Sequence, residues 1–266
     1  MRDFNFIVFD YIFAKSKCGV LKMQKILSRF LFTVAVCGAA LCGAADDVKL
    51  YMDAEALPNA LNFLPPPPKV GSAAFAYDSS QYVWGKSMRA DSARVALALA
   101  QATVDVSEMA VLFSEAFGME ISAKKTPAIL NVLKRGVLTM RLAAREPKKF
   151  YKRPRPYEYF NESTLIPSAD EEHRNTGSFP SSHTVRGWAM ALLLAEINPA
   201  AQDALLKYGY EWGQSRVIAG FHWQSDVDAS KLIISGCYAR MHADESFNAD
   251  MRKARAEFKR LSAKKR

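Results

Sequence analysis

From about Asp91 onward, apolar residues recur at intervals of three and four, the period of an amphipathic helix. Val106, Met109, Ala110, Phe113 and Phe117 mark one face, and Gly118 supplies a stop. Thr126-Pro127 reads as a cap followed by proline at the first helical position, where the missing N–H would be unpaired anyway. Ile129, Val132, Leu133, Gly136, Val137 and Met140 then repeat the stripe. The run from Trp188 to Ala195 is apolar all round, which predicts a centrally buried helix ended by Asn198-Pro199. Further helices are predicted from Ala200 to about Gly213 and from Asp226 to about Met241, with a last amphipathic one from about Asn248 to Leu261. No stretch alternates with a period of two, there is no internal repeat, and the composition does not shift along the chain. The expectation is one all-α domain.

Residues 46–90 look irregular by the same criteria. Leu64 precedes Pro65 to Pro68, which can only be extended because proline fixes φ and lacks a donor. This segment reads as a rigid arm packed over the domain. Ser72 to Gly85 mixes Tyr77, Tyr82 and Trp84 with polar residues, and reads as an ordered loop or a short helical turn.

The N-terminal pattern differs. Lys25 and Arg29 precede an apolar and small-residue run from Phe30 to Leu41, and Cys42-Gly43-Ala44-Ala45 offers small residues before Asp46-Asp47. That is the layout of a secretory signal over residues 23–45, cleaved after Ala44 or Ala45. The run is shorter than the ~20 residues of a spanning helix, so no stable membrane insertion is expected after signal removal. Residues 1–22 set Asp3 and Asp10 among aromatics, which spoils a signal starting at Met1. Met23 is the better start, residues 1–22 being a spurious extension, and 46–266 the functional domain.

The net charge of +9 over 266 residues changes meaning once this segment is set aside. Without residues 1–45 the chain holds 30 basic and 25 acidic side chains, and much of the excess lies between Arg252 and Arg266. No basic face interleaved with aromatics is apparent, so nucleic acid is not an expected partner. Cys18, Cys37 and Cys42 fall in the segment expected to be removed, leaving Cys237 alone as a buried small hydrophobe.

Three segments carry candidate chemistry. Lys148 and Arg155 lie seven residues apart in a basic run, with Arg155 held between Pro154 and Pro156. Arginine's planar fork suits phosphate oxygens, although such a run also fits a solvated surface. Pro180-Ser181-Ser182-His183 precedes the buried helix, whose N-terminus would offer free N–H groups to an anion. Ser181 could donate its hydroxyl to that anion and His183 a proton from the rim; a plain helix cap also accounts for the serines. Finally, Ser215-Arg216 and His222 to Asp226 supply a cation, an imidazole and a carboxylate able to fix its tautomer. A capping Asp226 beside a structural histidine is the alternative. Only four histidines exist, and His183 and His222 both fall in these settings.

Taken together, the segments resemble the signature of the acid phosphatase and vanadium haloperoxidase superfamily, related to the type 2 phosphatidic acid phosphatases. That signature is a lysine with Arg-Pro seven residues on, Pro-Ser-Gly-His, then Ser-Arg, five residues, His, three residues and Asp. Every spacing matches, with Ser182 in the usual glycine position. Leu64 to Pro68, Ala74 to Gly85 and His222 to Asp228 further resemble the secreted class A bacterial non-specific acid phosphatases.

The resemblance implies an all-α domain with a central helical bundle and a metal-free, cofactor-free reaction on small phosphomonoesters. It implies His222 as nucleophile, His183 as general acid and Asp226 as the group orienting His222. Lys148, Arg155, Ser181, the Ser182 backbone N–H and Arg216 would bind the phosphoryl oxygens. Serine can stand at 182 provided its φ is negative. Tyr151, Phe160 and Trp223 are candidates for shaping the entrance. A periplasmic homo-oligomer is expected. The rivals are a vanadate-dependent haloperoxidase, a lipid phosphate phosphatase and a non-catalytic phosphate-binding surface protein.

Overall fold

Caps and prolines decide where the helices begin in the computed structural model, which describes residues 48–264. The expected extension (1–22) and signal (23–45), with Cys18, Cys37 and Cys42, lie outside the described residues. Helix α1 (Ala73–Ser87) starts where Ser72 Oγ accepts from Phe75 N, and α2 (Ser92–Ala100) where Asp91 accepts from Ala93 N and Arg94 N. Asp105 caps α3 (Val106–Phe117), which Gly118 ends at φ 77°, a left-handed conformation that glycine adopts without strain. Pro127 opens α4 (Pro127–Arg141) as predicted. The Thr126 hydroxyl does not cap it, however, because it is engaged with the backbone N–H and carbonyl of Ser122.

Three short helices follow: α5 (Arg145–Tyr151), α6 (Pro156–Phe160) and α7 (Asp170–His173). The C-terminal half consists of α8 (Ser182–Ile197), α9 (Gln202–Ala219), α10 (Gln224–Met241) and α11 (Glu245–Ala263). No strand occurs among the described residues, and the fold is all-α. No described helix is long and apolar enough to cross a membrane.

Helix α8 lies at the centre, against α9, α4 and α10. Val185, Ala189, Met190, Leu193 and Leu194 are fully buried there, as its all-round apolar sequence requires. Two glycines let α8 and α9 approach closely. A Cβ on Gly187 would stand 2.5 Å from Trp212 Cγ, and one on Gly209 would stand 2.5 Å from Ala191 Cβ.

Two elements differ from expectation. The segment from Ser72 to Gly85 belongs to a full helix, α1, which buries Phe75, Asp78, Tyr82 and Gly85 at helical spacing. Its stripe is hidden in the sequence because one buried position is a carboxylate. Helix α9 runs past Gly213 to Ala219, since that glycine makes room for Val227 of α10 (2.8 Å from a built Cβ) rather than ending the helix. Gly220, at φ 86°, is the true stop. Leu64 packs against the core ahead of the extended Pro65–Pro68 run. Cys237 is fully buried, and burial pushes its thiol up to about 12.

Candidate active site

The basic run is broken as its prolines require. Helix α5 ends at Lys152, which adopts φ 43°, and Arg155 stands at the N-cap of α6 in extended conformation. Its guanidinium turns inward and is only 5% exposed. Nε donates to the His173 carbonyl at 3.1 Å, Nη1 to the Phe221 carbonyl at 2.9 Å and Nη2 to Thr176 Oγ1 at 3.0 Å. Lys148 Nζ donates to the Gly177 carbonyl at 2.8 Å.

Ser181 is the N-cap of α8, its Oγ accepting from Thr184 N at 3.3 Å. Its own N–H donates to Ser230 Oγ at 2.9 Å, locking the start of α8 onto α10. The Ser181 side chain thus serves as a cap here. Ser182 is the first residue of α8 and has no positive φ, so the serine at the glycine position is unstrained. His183 is buried at 8% exposure, not at a rim. Its Nε2 lies 2.9 Å from the Ala102 carbonyl, which can only accept, so Nε2 carries a proton and Nδ1 is the nitrogen that exchanges one.

The turn between α9 and α10 brings the third segment into place. Arg216 lies in the last turn of α9, 2% exposed, with its guanidinium 4.5 Å from the centre of the Phe221 ring. His222 is likewise 2% exposed. Its Nε2 lies 3.1 Å from Arg155 Nη1, and its Nδ1 lies 3.4 Å from Asp226 Oδ2. A guanidinium can only donate, so Nε2 presents its lone pair and Nδ1 bears the hydrogen, directed to the carboxylate. Asp226 does two jobs at once: Oδ2 also accepts from Trp223 N at 2.9 Å, closing the first turn of α10.

Groups that the sequence reading passed over complete the site. Arg153 Nη1 donates to Asp226 Oδ1 at 2.7 Å, and its Nη2 donates to Asp78 Oδ2 at 2.6 Å. Asp78, on α1, also accepts from Ser225 N and Oγ. Ser178 Oγ donates to Asp226 Oδ2 and lies 3.4 Å from His222 Nδ1. Arg153 stood in the basic run, but nothing in its spacing separates a carboxylate partner from a phosphate ligand. Asp78 lay in a segment read as a loop. Trp223 is 1% exposed in an aromatic cluster with Phe75, Tyr82, Tyr159 and Phe160, so it supports the site from beneath and shapes no entrance.

The charges are unevenly paired. Arg153 is matched by two carboxylates, whereas Lys148, Arg155 and Arg216 ion-pair with none among the described residues. Arg216 Nε and Nη1 are buried without any hydrogen-bond partner. Burial, then the Arg155 charge, pushes Lys148 down to about 7 and Arg216 down to about 9. Burial, followed by Arg155, Lys148 and Arg216, holds His222 well below the usual histidine range. His183 is held down by burial and then Arg216. Unpaired buried cations are costly, and an anion among them removes the cost.

An all-helical domain closing a cation-lined, two-histidine oxyanion cradle has known counterparts. Residues 128–243 match the family model of the PAP2 superfamily, which takes in both histidines, Lys148, Arg155 and Arg216. The chain is 42% identical to a non-specific acid phosphatase of Providencia stuartii over 204 residues, covering 76% of this chain and 82% of that one. It is 38% identical to a non-specific acid phosphatase of Salmonella typhimurium over 86% and 92% of the two chains. It is also 32% identical to an acid phosphatase of Zymomonas mobilis over 75% of each. The chain belongs to the PAP2 superfamily, in the branch of the bacterial non-specific acid phosphatases.

Proposed function

We propose that this protein is an acid phosphatase that hydrolyses small phosphomonoesters through a phosphohistidine at His222, without a metal ion. One observation carries the reading: the His222 Nε2 lone pair faces a group of cations that ion-pair with no carboxylate among the described residues. Phosphoryl transfer asks chiefly for positioning and for charge stabilisation of the equatorial oxygens. Lys148, Arg155, Arg216 and the N–H groups at the start of α8 meet that need, with Ser181 and Ser182 forming the α8 end of the cradle. The similarity to non-specific acid phosphatases supports the phosphatase part of this reading.

His222 Nε2 attacks phosphorus in line; the P–N bond forms as the ester P–O bond breaks. The bound phosphate's negative charge offsets Arg216 and lets His183 carry a second proton at Nδ1; the leaving oxygen takes it, while the other nitrogen stays bonded to the Ala102 carbonyl. Asp226 holds the Nδ1 proton of His222 and stabilises positive charge as the imidazole is phosphorylated. Water then attacks the phosphohistidine, gives a proton to His183, and the P–N bond breaks. No step asks for a Lewis acid, because the guanidinium groups and Lys148 carry the charge. The carboxylates Asp78 and Asp226 are already committed to Arg153.

The same reading has the protein carried to the periplasm by the 23–45 leader and assembled as a homo-oligomer. The test is turnover of a chromogenic phosphomonoester by the purified protein, with and without excess chelator. Equal rates are expected. Loss on chelation, restored by Zn²⁺ or Mg²⁺, overturns the metal-free mechanism, and no turnover at all overturns the phosphatase.

A further inference from the structure

Beside the cradle lies a cavity of about 120 Å³ lined by Arg141, Ala144, Arg145, Lys148 and Ser182. Arg141 ends α4 and Arg145 begins α5, so the junction between the two helices supplies two arginines to the lining that Lys148 shares. Arg186, one turn into α8, lies outside that lining but bears on it: Nη1 donates to the Ser182 carbonyl at 3.0 Å, and the residue is only 7% exposed. Neither Arg141, Arg145 nor Arg186 forms an ion pair with a carboxylate among the described residues. Arg186 Nε and Arg141 Nε are buried with no hydrogen-bond partner. The cations press on one another, since after burial the Arg141 charge is what lowers Arg186, to about 10, and the Arg145 charge what lowers Arg141.

The phosphohistidine mechanism uses only Lys148 and Ser182 of this set. Two further arginines line the cavity, Arg141 with a buried unpaired nitrogen, and they offer oxyanion donors beyond those assigned to the reacting phosphoryl group. We propose that this cavity is a second phosphoryl subsite, which holds the leaving phosphoryl group of a phosphoanhydride while His222 attacks the terminal phosphorus. The proposal rests on the phosphatase reading above. Lys148 belongs to both sites, so the two phosphoryl groups it serves are neighbours, as they are across one bridging oxygen and are not across a long linker. In the step, the P–N bond to His222 forms at the terminal phosphorus and the bridging P–O bond breaks. The leaving phosphate keeps the electron pair, takes the proton from His183 and remains against Arg141 and Arg145.

The experiment compares inorganic pyrophosphate, 1,6-hexanediol bisphosphate and 4-nitrophenyl phosphate as substrates for the parent and for an Arg141→Gln/Arg145→Gln double variant. These two arginines are half-buried and exposed, respectively, so the fold should tolerate the exchange. The double variant should lose about tenfold or more in kcat/KM on pyrophosphate, chiefly through KM, and stay within about twofold on the other two. Arg141→Lys/Arg145→Lys should recover part of the loss. A second measurement needs no variant: methylenediphosphonate should inhibit the parent at least about tenfold more tightly than inorganic phosphate. Equal inhibition by the two, an equal loss on all three substrates, or a loss confined to the hexanediol ester overturns the subsite. If the parent turns over none of the three, the phosphatase reading itself has failed. Turnover of 4-nitrophenyl phosphate with an unchanged pyrophosphate preference in the variant removes only the subsite.

Discussion

Arg153 donates from Nη1 to Asp226 Oδ1 at 2.7 Å, and its second nitrogen is held by Asp78, so the carboxylate facing His222 is itself fixed from behind. This pairing keeps Asp226 from swinging toward the phosphate cations and leaves its Oδ2 for His222, Ser178 and Trp223.

Arg153→Met should therefore act through Asp226. Removing one partner of a buried ion pair costs about 3–5 kcal/mol, so urea denaturation should show a loss of that order. The kcat should fall well over tenfold while inhibition by inorganic phosphate changes little, because the Arg153 guanidinium is committed to Asp226 and Asp78. Asp226→Asn should give the same split between kcat and phosphate inhibition. A variant that loses phosphate binding and kcat alike would make Arg153 a phosphate ligand.

His183 is expected to matter in proportion to leaving-group basicity. General acid catalysis contributes about 10²–10⁴-fold where the departing oxygen needs a proton. His183→Ala should thus impair alkyl phosphates far more than 4-nitrophenyl phosphate, measured as a steeper dependence of kcat/KM on leaving-group pKa. An unchanged slope would contradict the role.

The pH behaviour follows from burial. His222 is depressed well below the usual histidine range, so it stays neutral and nucleophilic in acid, and the acid limb of kcat/KM lies below ~6.5. Lys148 in the free protein is pushed down to about 7 by burial and then Arg155; below that pH it is a cation, and above it the cradle loses one charge. Inhibition by sulfate, whose charge is constant across this range, should weaken as pH rises through about 7. Lys148→Arg, charged throughout, should flatten that dependence. A sulfate affinity independent of pH in the parent would show that Lys148 does not lose its charge in this range.

Stability should depend on the α8–α9 glycines. In Gly187→Ala the new methyl meets the Trp212 ring at 2.5–2.7 Å, and the ring lies in a packed core with little freedom to move. Overpacking of this kind costs about 1–3 kcal/mol, seen as a lower denaturation midpoint with an unchanged m-value. Gly236→Ala is the control, since nothing lies within 4 Å of a Cβ there.

The long helices were legible because their stripes are apolar and their ends carry Gly118, Pro127 and Asn198-Pro199. Helix α1 was not, because burying Asp78 requires Arg153 and Ser225, which lie 75 and 147 residues away in sequence. Gly213 misled for a related reason: a glycine chosen for close packing looks like one chosen for a turn until its neighbour Val227 is seen. At the site, spacing brought His222 and Asp226 to one turn. It could not show that Arg155 Nη1 faces His222 Nε2 across 67 positions, nor that His183 is tethered to the Ala102 carbonyl.

The most direct measurement is of the covalent intermediate. Phosphohistidine survives alkali, so a labelled phosphomonoester mixed rapidly with the protein and quenched in alkaline denaturant should leave label on the peptide containing His222. The label should be absent in His222→Ala and should persist longer in His183→Ala, whose water is less well activated. Label on a serine, or burst turnover in the parent with no labelled His222, would contradict the account.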